Sequence, residues 1–212
     1  MSDPVVVKVN AESPDPTLVE RAIAVLTSGG LVVAPSETQY GLLARADQDA
    51  ALERAVGAKQ RGAEKPMAVF AASVELIMHY ASLNPPAQRL ARLFLPGPLT
   101  LVLPVLGSWH TAIVPEGKIG IRVSSCPFIQ ATMERVDFPV TATSANIAGD
   151  QESSDVVPIA RLLGDQVDLF LDGGPLPGPP STVVDCCESE VKILREGAID
   201  SEAIKAALAK VM

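Results

Sequence analysis

The sequence predicts an α/β or α+β fold, a twisted mixed sheet flanked by helices. Three observations carry this. Short apolar runs of strand length mix with amphipathic stretches of helix length along the whole chain. No internal repeat, low-complexity tract or charge block interrupts them. The 212 residues are 48% apolar and only 4% aromatic, so a sizeable core can form, built mostly from Ala, Val, Leu and Ile.

Taken in order, Val5 to Val9 reads as the first strand. Thr17 to Ser28 reads as a helix with Leu18, Ala22, Val25 and Leu26 on one face, stopped by Gly29 and Gly30. Leu31 to Ala34 is a strand. Asp49 to Lys59 is a helix with Leu52, Ala55 and Val56 inward. Met67 to Ala71 is a strand and Val74 to Ser82 a helix. Pro86 to Leu95 is a helix, ended by Pro96-Gly97-Pro98. Leu99 to Leu103, Ile119 to Val123 and Val140 to Thr143 are strands, with a helix from Phe128 to Val136 between the last two. Val156 to Leu163, Val167 to Leu171, Thr182 to Asp185, Val191 to Leu194 and Ser201 to Lys210 complete the elements. The Pro- and Gly-rich stretch from Gly173 to Pro180 is too short for a domain boundary and reads as a flexible loop. One domain spanning residues 1–212 is expected.

Composition narrows the function. A net charge of -8 disfavours blanket affinity for nucleic acid, although a local basic groove stays open. Met1-Ser-Asp-Pro lacks the basic start and apolar run of a signal peptide. No run reaches the ~18 apolar residues of a membrane span. Three cysteines, with Cys186 and Cys187 adjacent, give no disulfide framework and suit a reducing cytoplasm. His79 and His110 are the only histidines and stand far apart, so no metal spacing is present. Neither G-x-x-x-x-G-K-S/T nor G-x-G-x-x-G occurs. There is no G-x-S-x-G elbow, and a serine triad would need one of the two histidines. His79 lies mid-helix beside Met78 and Tyr80 and reads as structural.

Four clusters remain. In "PSETQYGL" the chain leaves an apolar strand and gathers Ser36, Glu37, Thr38 and Tyr40. In "AKQRGAEKP", Lys59, Arg61 and Lys65 collect at a helix end. There they either clamp phosphates or answer the helix dipole, and spacing does not choose. In "TATSANIAG", Thr141, Thr143, Ser144 and Asn146 fill a strand-to-loop passage that an Asx or Ser/Thr turn would also explain. In "STVVD" and "ILREG", Ser181 opens one strand and Arg195 closes the next, and an arginine there is ordinarily solvated.

These residues resemble a family. "GGLVVAPSETQYGL" is similar to the opening motif of the YrdC-type threonylcarbamoyl-AMP synthases. "KQRGAEKPM" resembles their Lys-x-Arg-Pro segment, and "LPGPLTLVLP" their Trp-Pro-Gly-Pro-Leu-Thr strand. "IGIRV", "TATSANIAG", "STVVD" and "ILREGAI" follow in matching order, over roughly residues 15 to 205. The resemblance implies a YrdC-like fold with a deep, concave, basic groove. It implies a nucleotidyltransferase that makes threonylcarbamoyl adenylate from L-threonine, bicarbonate or CO2, and ATP, releasing pyrophosphate. That product feeds t6A modification of adenosine 37 in tRNAs reading ANN codons. A downstream t6A transferase machinery, little or no direct tRNA binding, no membrane, a cytoplasmic location and Mg2+ with the ATP are implied as well. No protein ligand for the metal follows.

Carried over by position, Thr38 and Arg122 would hold threonine, with Arg122 on its carboxylate. Ala142, through its backbone, and Ser181 would line the same site. Lys59, Arg61 and Lys65 would face the triphosphate, the first two as catalytic residues. Ser144 and Asn146 would bind nucleotide and Arg195 would close over it. The sequence departs from the family pattern at several places. Ser36 stands for Thr, Gly62 for Pro, Leu95 for Trp and Glu196 for a common Pro. Phe70 falls where several longer relatives carry a histidine near threonine, and the chain ends at Met212 without the further domain some of them have. Two other readings compete. One is a YrdC-like RNA-binding or regulatory protein without adenylation activity, disfavoured because Lys59, Arg61, Ser144 and Asn146 are all kept. The other is a carbamoyl-adenylate maker of the hydrogenase-maturation type, disfavoured because its acylphosphatase and zinc regions are absent.

Overall fold

The computed structural model describes residues 5–59, 66–114, 116–146 and 153–209. Its elements are, in order, β1 (Val6–Lys8), α1 (Pro16–Thr27), β2 (Val32–Ala34), β3 (Gly41–Leu43), α2 (Asp49–Ala58), β4 (Val69–Phe70), α3 (Val74–Tyr80), α4 (Pro85–Phe94), β5 (Leu99–Pro104), β6 (Lys118–Arg122), α5 (Pro127–Met133), β7 (Val140–Thr141), β8 (Thr143–Ser144), α6 (Val156–Leu163), a short 3-10 helix (Gly164–Gln166), β9 (Leu169–Asp172), β10 (Thr182–Asp185), β11 (Lys192–Arg195) and α7 (Ser201–Ala209). The mixed α/β class predicted from sequence is therefore present. Side-chain caps set the starts of α1, α3, α4 and α6. Asp15, Ser73, Asn84 and Asp155 each accept a backbone N–H from the first turn of the helix that follows.

The expected mixed sheet is two mixed sheets. One has the order β1-β9-β2-β3-β8 and the other β11-β10-β5-β6-β4-β7. In the first, β9 pairs parallel with both β1 and β2, and β3 pairs antiparallel with β2 and β8. In the second, β5 lies parallel to β10 and antiparallel to β6.

Side-chain alternation assigns the faces. Along β2 and β3, Val33 and Leu42 enter one apolar cluster, and Val32, Ala34 and Leu43 enter another. Both faces of the first sheet are thus covered, and this is why Val32–Ala34 reads as an unbroken apolar run. Along β5 and β6, Leu99, Leu101, Leu103, Ile119 and Ile121 enter the first cluster. The intervening Thr100, Val102, Lys118, Gly120 and Arg122 face a cavity.

The helix faces differ from the expected ones in detail. Val19, Ala22 and Leu26 are buried on α1 while Leu18 and Val25 are half-buried. On α2 the buried set is Ala51, Leu52, Ala55 and Ala58, with Val56 half-buried. The strand β3 was not expected, because Gly41–Leu43 is too short to show a period. It exists because β2 needs an antiparallel partner after the turn of residues 35–40.

The segment from Val140 to Ser144 was expected as one strand ending near Thr143. It serves both sheets. Val140 and Thr141 pair with β4 in the second sheet, and Thr143 and Ser144 pair with β3 in the first. Thr141 is fully buried at the crossing. Its hydroxyl donates to the Leu42 carbonyl at 2.8 Å and accepts from the Ala44 amide at 2.9 Å. Thr141 thus joins the sheets and does not belong to a binding cluster. Thr141→Val keeps the shape and strands two buried backbone groups. It is expected to lower stability by about 1–3 kcal/mol, read as a lower urea midpoint with an unchanged slope. An unmoved midpoint contradicts this account of the crossing.

Candidate active site

The cavity floor is the polar face of the second sheet, and the first sheet supplies an opposing wall. The space is about 670 Å3 and is bordered by Thr38 and Ser144 on one side and Ser181 and Arg195 on another. Gly120 keeps the floor low. A Cβ there would lie 3.1 Å from the Ala68 Cβ and 3.5 Å from the Thr100 Cγ2.

Arg122 anchors the wall end of the floor. Strand alternation turns it to the cavity, and it is only 6% exposed. Its Nη2 donates to Thr38 Oγ1 at 3.0 Å and lies 2.9 Å from Glu37 Oε1. Its Nε is buried and has no hydrogen-bond partner among the described residues. The turn before it is set by Ser36, whose hydroxyl donates to the Gln39 carbonyl at 2.6 Å and accepts from the amides of Thr38 and Gln39. Ser36 is therefore a turn residue, and Thr38 is the hydroxyl presented to the site. Burial alone would push the Glu37 carboxyl up. The Arg122 charge, the Ser124 hydroxyl and the Ser125 amide outweigh burial and hold it below its ordinary value.

Ala142 borders the cavity, and its amide already donates to the Ala68 carbonyl at 2.6 Å, so its carbonyl is the backbone group it can offer. Phe70 also borders the cavity although it is 3% exposed, and its ring lies 5.9 Å from the Arg122 guanidinium carbon.

Across the floor, Arg195 folds back on Ser181. Its Nη2 donates to the Ser181 carbonyl at 2.9 Å and to the Ser181 hydroxyl at 3.2 Å, and its Nε to the same carbonyl at 3.2 Å. Ser181 Oγ lies 3.0 Å from Thr100 Oγ1. Arg195 is exposed, as an arginine at a strand end ordinarily is, and these bonds hold its guanidinium at the cavity rim. Gly197 permits this closeness, because a Cβ at that position would fall 2.2 Å from the Pro180 carbonyl oxygen.

The remaining candidates form a corner of their own. Lys59 caps α2 and is 2% exposed. Its ammonium donates to the Ser144 carbonyl and, at 3.2 Å, to Asn146 Oδ1. The Ser144 hydroxyl donates to the same Oδ1 at 2.6 Å. Lys59, Ser144 and Asn146 are thus brought together, and Ser144 also borders the cavity. Arg61 and Lys65 lie outside the described residues.

Sequence reasoning missed Glu116, Lys118 and Asp185, which border the cavity beyond Gly120. Lys118 Nζ and Asp185 Oδ2 pair at 3.0 Å. The signal was available, since Lys118, Gly120 and Arg122 alternate along one strand. Among the described residues the cavity carries Lys118, Arg122 and Arg195 against Glu116 and Asp185, so the basic groove implied by the resemblance is only slightly basic here. The two histidines stand elsewhere, beside Tyr80 and Trp109. The Nδ1 of His110 accepts from the Ala112 amide, and His79 is exposed in the last turn of α3.

Comparison with known proteins places the chain among relatives. The family model Sua5_yciO_yrdC, described as telomere recombination, matches residues 24–197. A threonylcarbamoyl-AMP synthase of Pyrococcus abyssi is 32% identical over 90% of this chain, which spans 57% of that protein. A solved structure of Pyrococcus abyssi Sua5 complexed with L-threonine superposes with a TM-score of 0.91 at 30% identity, covering 98% of this chain and 62% of that one. The Escherichia coli protein named uncharacterized protein YciO is 28% identical over 91% of this chain and 95% of its own length. The solved Escherichia coli YciO structure has a TM-score of 0.87 at 26% identity, covering 94% of this chain and 98% of that one.

The Glu37–Arg122 pair makes a pH prediction. A carboxyl held below its unfolded value stabilises the fold above that value, 4.5, and loses this as pH falls through its folded value. The urea midpoint of Glu37→Gln is therefore expected to lie below wild type at neutral pH, and the gap to close as pH falls below about 4.5. A gap that is constant with pH contradicts the assigned pairing.

Proposed function

The chain belongs to the Sua5/YciO/YrdC family, and from that membership we propose that it is an L-threonylcarbamoyladenylate synthase. The single observation that carries the proposal is the meeting of Thr38, Arg122, Ser181 and Arg195 around one cavity. The likeness to a Sua5 structure complexed with L-threonine supports it.

The chemistry fits the groups available. Arg122 is suited to the threonine carboxylate, because a guanidinium gives a carboxylate two parallel hydrogen bonds. Thr38, Ser181 and the Ala142 carbonyl are suited to the amino-acid amine. The neutral amine attacks CO2, and its proton leaves to solvent. The carbamate oxygen then attacks the α-phosphorus of ATP and the bond to pyrophosphate breaks. Neither step needs a strong protein base; both need alignment and neutralisation of charge. Arg195, Ser144 and Asn146 would hold the nucleotide, with Arg61 and Lys65 on the triphosphate. Lys59 would then act mainly by fixing the Ser144–Asn146 corner. Mg2+ arriving with ATP supplies charge neutralisation. It would be held by phosphate oxygens and water, since among the described residues no cluster of three or more His, Cys, Asp or Glu is placed for a metal. In this reading the product goes to a t6A transferase in the cytoplasm. No described helix is long and apolar enough to cross a membrane.

A second reading is a YrdC-like protein with a regulatory or RNA-binding role. The likeness to YciO, a protein named uncharacterized and 28% identical over 91% of this chain, leaves room for it. The same assay separates the two. Protein, ATP, bicarbonate and labelled threonine are expected to give labelled threonylcarbamoyl-AMP and pyrophosphate, with both lost when bicarbonate is removed and CO2 purged. Pyrophosphate release at full rate without bicarbonate, or no product at all, contradicts the synthase reading.

Phe70 adds a prediction on selectivity. A phenyl ring at the cavity edge offers a substrate hydroxyl no partner, and a site without one discriminates weakly for hydroxyls. Wild type is expected to prefer threonine over valine by less than about 100-fold in kcat/KM, and Phe70→His to widen that preference. A wide wild-type preference that Phe70→His leaves unaltered means the ring does not meet the substrate.

A further inference from the structure

Glu37 sits in the middle of PSETQYGL, yet the chemistry above gives it no task. Its neighbours Ser36 and Thr38 border the cavity and Glu37 does not. It stands behind Arg122, with both carboxylate oxygens engaged. Oε1 lies 2.9 Å from Arg122 Nη2 and accepts from the Ser125 amide at 3.0 Å, and Oε2 accepts from the Ser124 hydroxyl. Ser124 is itself fixed, since its hydroxyl accepts from the Cys126 amide at 3.2 Å. Glu37 therefore cannot turn to a ligand without abandoning three bonds.

The constraint passes to Arg122. An arginine has many rotamers, and binding a carboxylate in one geometry requires that most be excluded beforehand. Glu37 and Thr38 fix Nη2, and the Phe70 ring bounds the guanidinium. The buried Nε has no partner among the described residues, so they do not exhaust the donor set of Arg122. A buried cation with donors to spare beside a cavity suits an incoming anion, and a second carboxylate behind it keeps the cation charged and still.

We propose that Glu37 is a positioning residue that aims Arg122 and thereby sets the affinity for the carboxylate of the amino-acid substrate. This rests on the synthase reading. It predicts a defect that follows the ligand's carboxylate, which a purely structural role for Glu37 would not produce.

The test is calorimetric titration of L-threonine, L-threoninamide and ATP into wild type, Glu37→Gln, Glu37→Asp and Ser124→Ala. Threoninamide has the threonine hydroxyl and amine but no carboxylate. Glu37→Gln is expected to weaken L-threonine by about tenfold or more, and to leave threoninamide and ATP within about twofold. Glu37→Asp, which keeps the charge, is expected to recover part of the loss. If Glu37→Gln does not fold, Ser124→Ala keeps the charge and loosens only its aim, and a smaller loss confined to L-threonine is expected. Equal weakening of threonine and threoninamide, or unchanged or tighter threonine binding in the variants, overturns the proposal. A wild type that binds no L-threonine overturns the synthase reading itself and this inference with it, a result distinct from a variant without effect.

Discussion

A guanidinium held out of water is the constraint around which the site is built. Removing a cation from solvent costs several kcal/mol unless its partners are fixed in good geometry. Arg122 meets this with a half-buried carboxylate and a threonine hydroxyl from one turn and an aromatic ring from β4. Those segments must then stay where they are. The turn after β2 is locked by Ser36, and β4 carries Phe70 against β6 in parallel register, with Phe70 opposite Arg122. The alternation of β6 does the rest, burying Ile119 and Ile121 while lifting Arg122 to the cavity.

The two sheets share one apolar cluster and are joined by the crossing at Thr141. A further tie is Tyr40, buried at the end of the turn after β2. Its hydroxyl donates to the Gly174 carbonyl at 2.7 Å and accepts from the Gly173 amide at 3.0 Å. That contact fixes the start of the Gly- and Pro-rich loop leading to Ser181. Desolvation pushes the Tyr40 phenol up to about 12, so it is a neutral donor at neutral pH. The opposite wall closes where Arg195 bonds Ser181 and where Gly197 lets β11 approach Pro180. The polar residues of PSETQYGL thus divide three ways. Thr38 is shown to the cavity, Glu37 braces Arg122, and Tyr40 tethers a distant loop.

Much of this was legible in the sequence, for identifiable reasons. The long periodic segments, such as Pro16–Thr27 and Leu99–Pro104, were readable because their burial pattern repeats over several turns or pleats. The grouping of Thr38, Arg122, Ser181 and Arg195 came from the family resemblance, since no periodicity links residues 38 and 195. What stayed hidden depends on tertiary pairing. Three residues of β3 carry no period, and the change of sheet at Ala142 leaves no local mark. The direction of Lys59 was also unreadable. A lysine at a helix end looks like a dipole cap or a phosphate ligand, and only the proximity of Ser144 and Asn146 shows what its ammonium meets. Lys118 and Asp185 are the instructive omission, because strand alternation alone put them on the face of Arg122 and Thr100.

The account turns on Arg122 being a preformed carboxylate receptor. The most direct measurement is a crystal structure of the protein grown with L-threonine. The threonine carboxylate is expected about 2.7–3.2 Å from the Arg122 guanidinium nitrogens, with Glu37 still bonded behind it and Thr38 within reach of the bound amino acid. Threonine bound elsewhere in the cavity, or an Arg122 that contacts Glu37 and no ligand, would contradict the account.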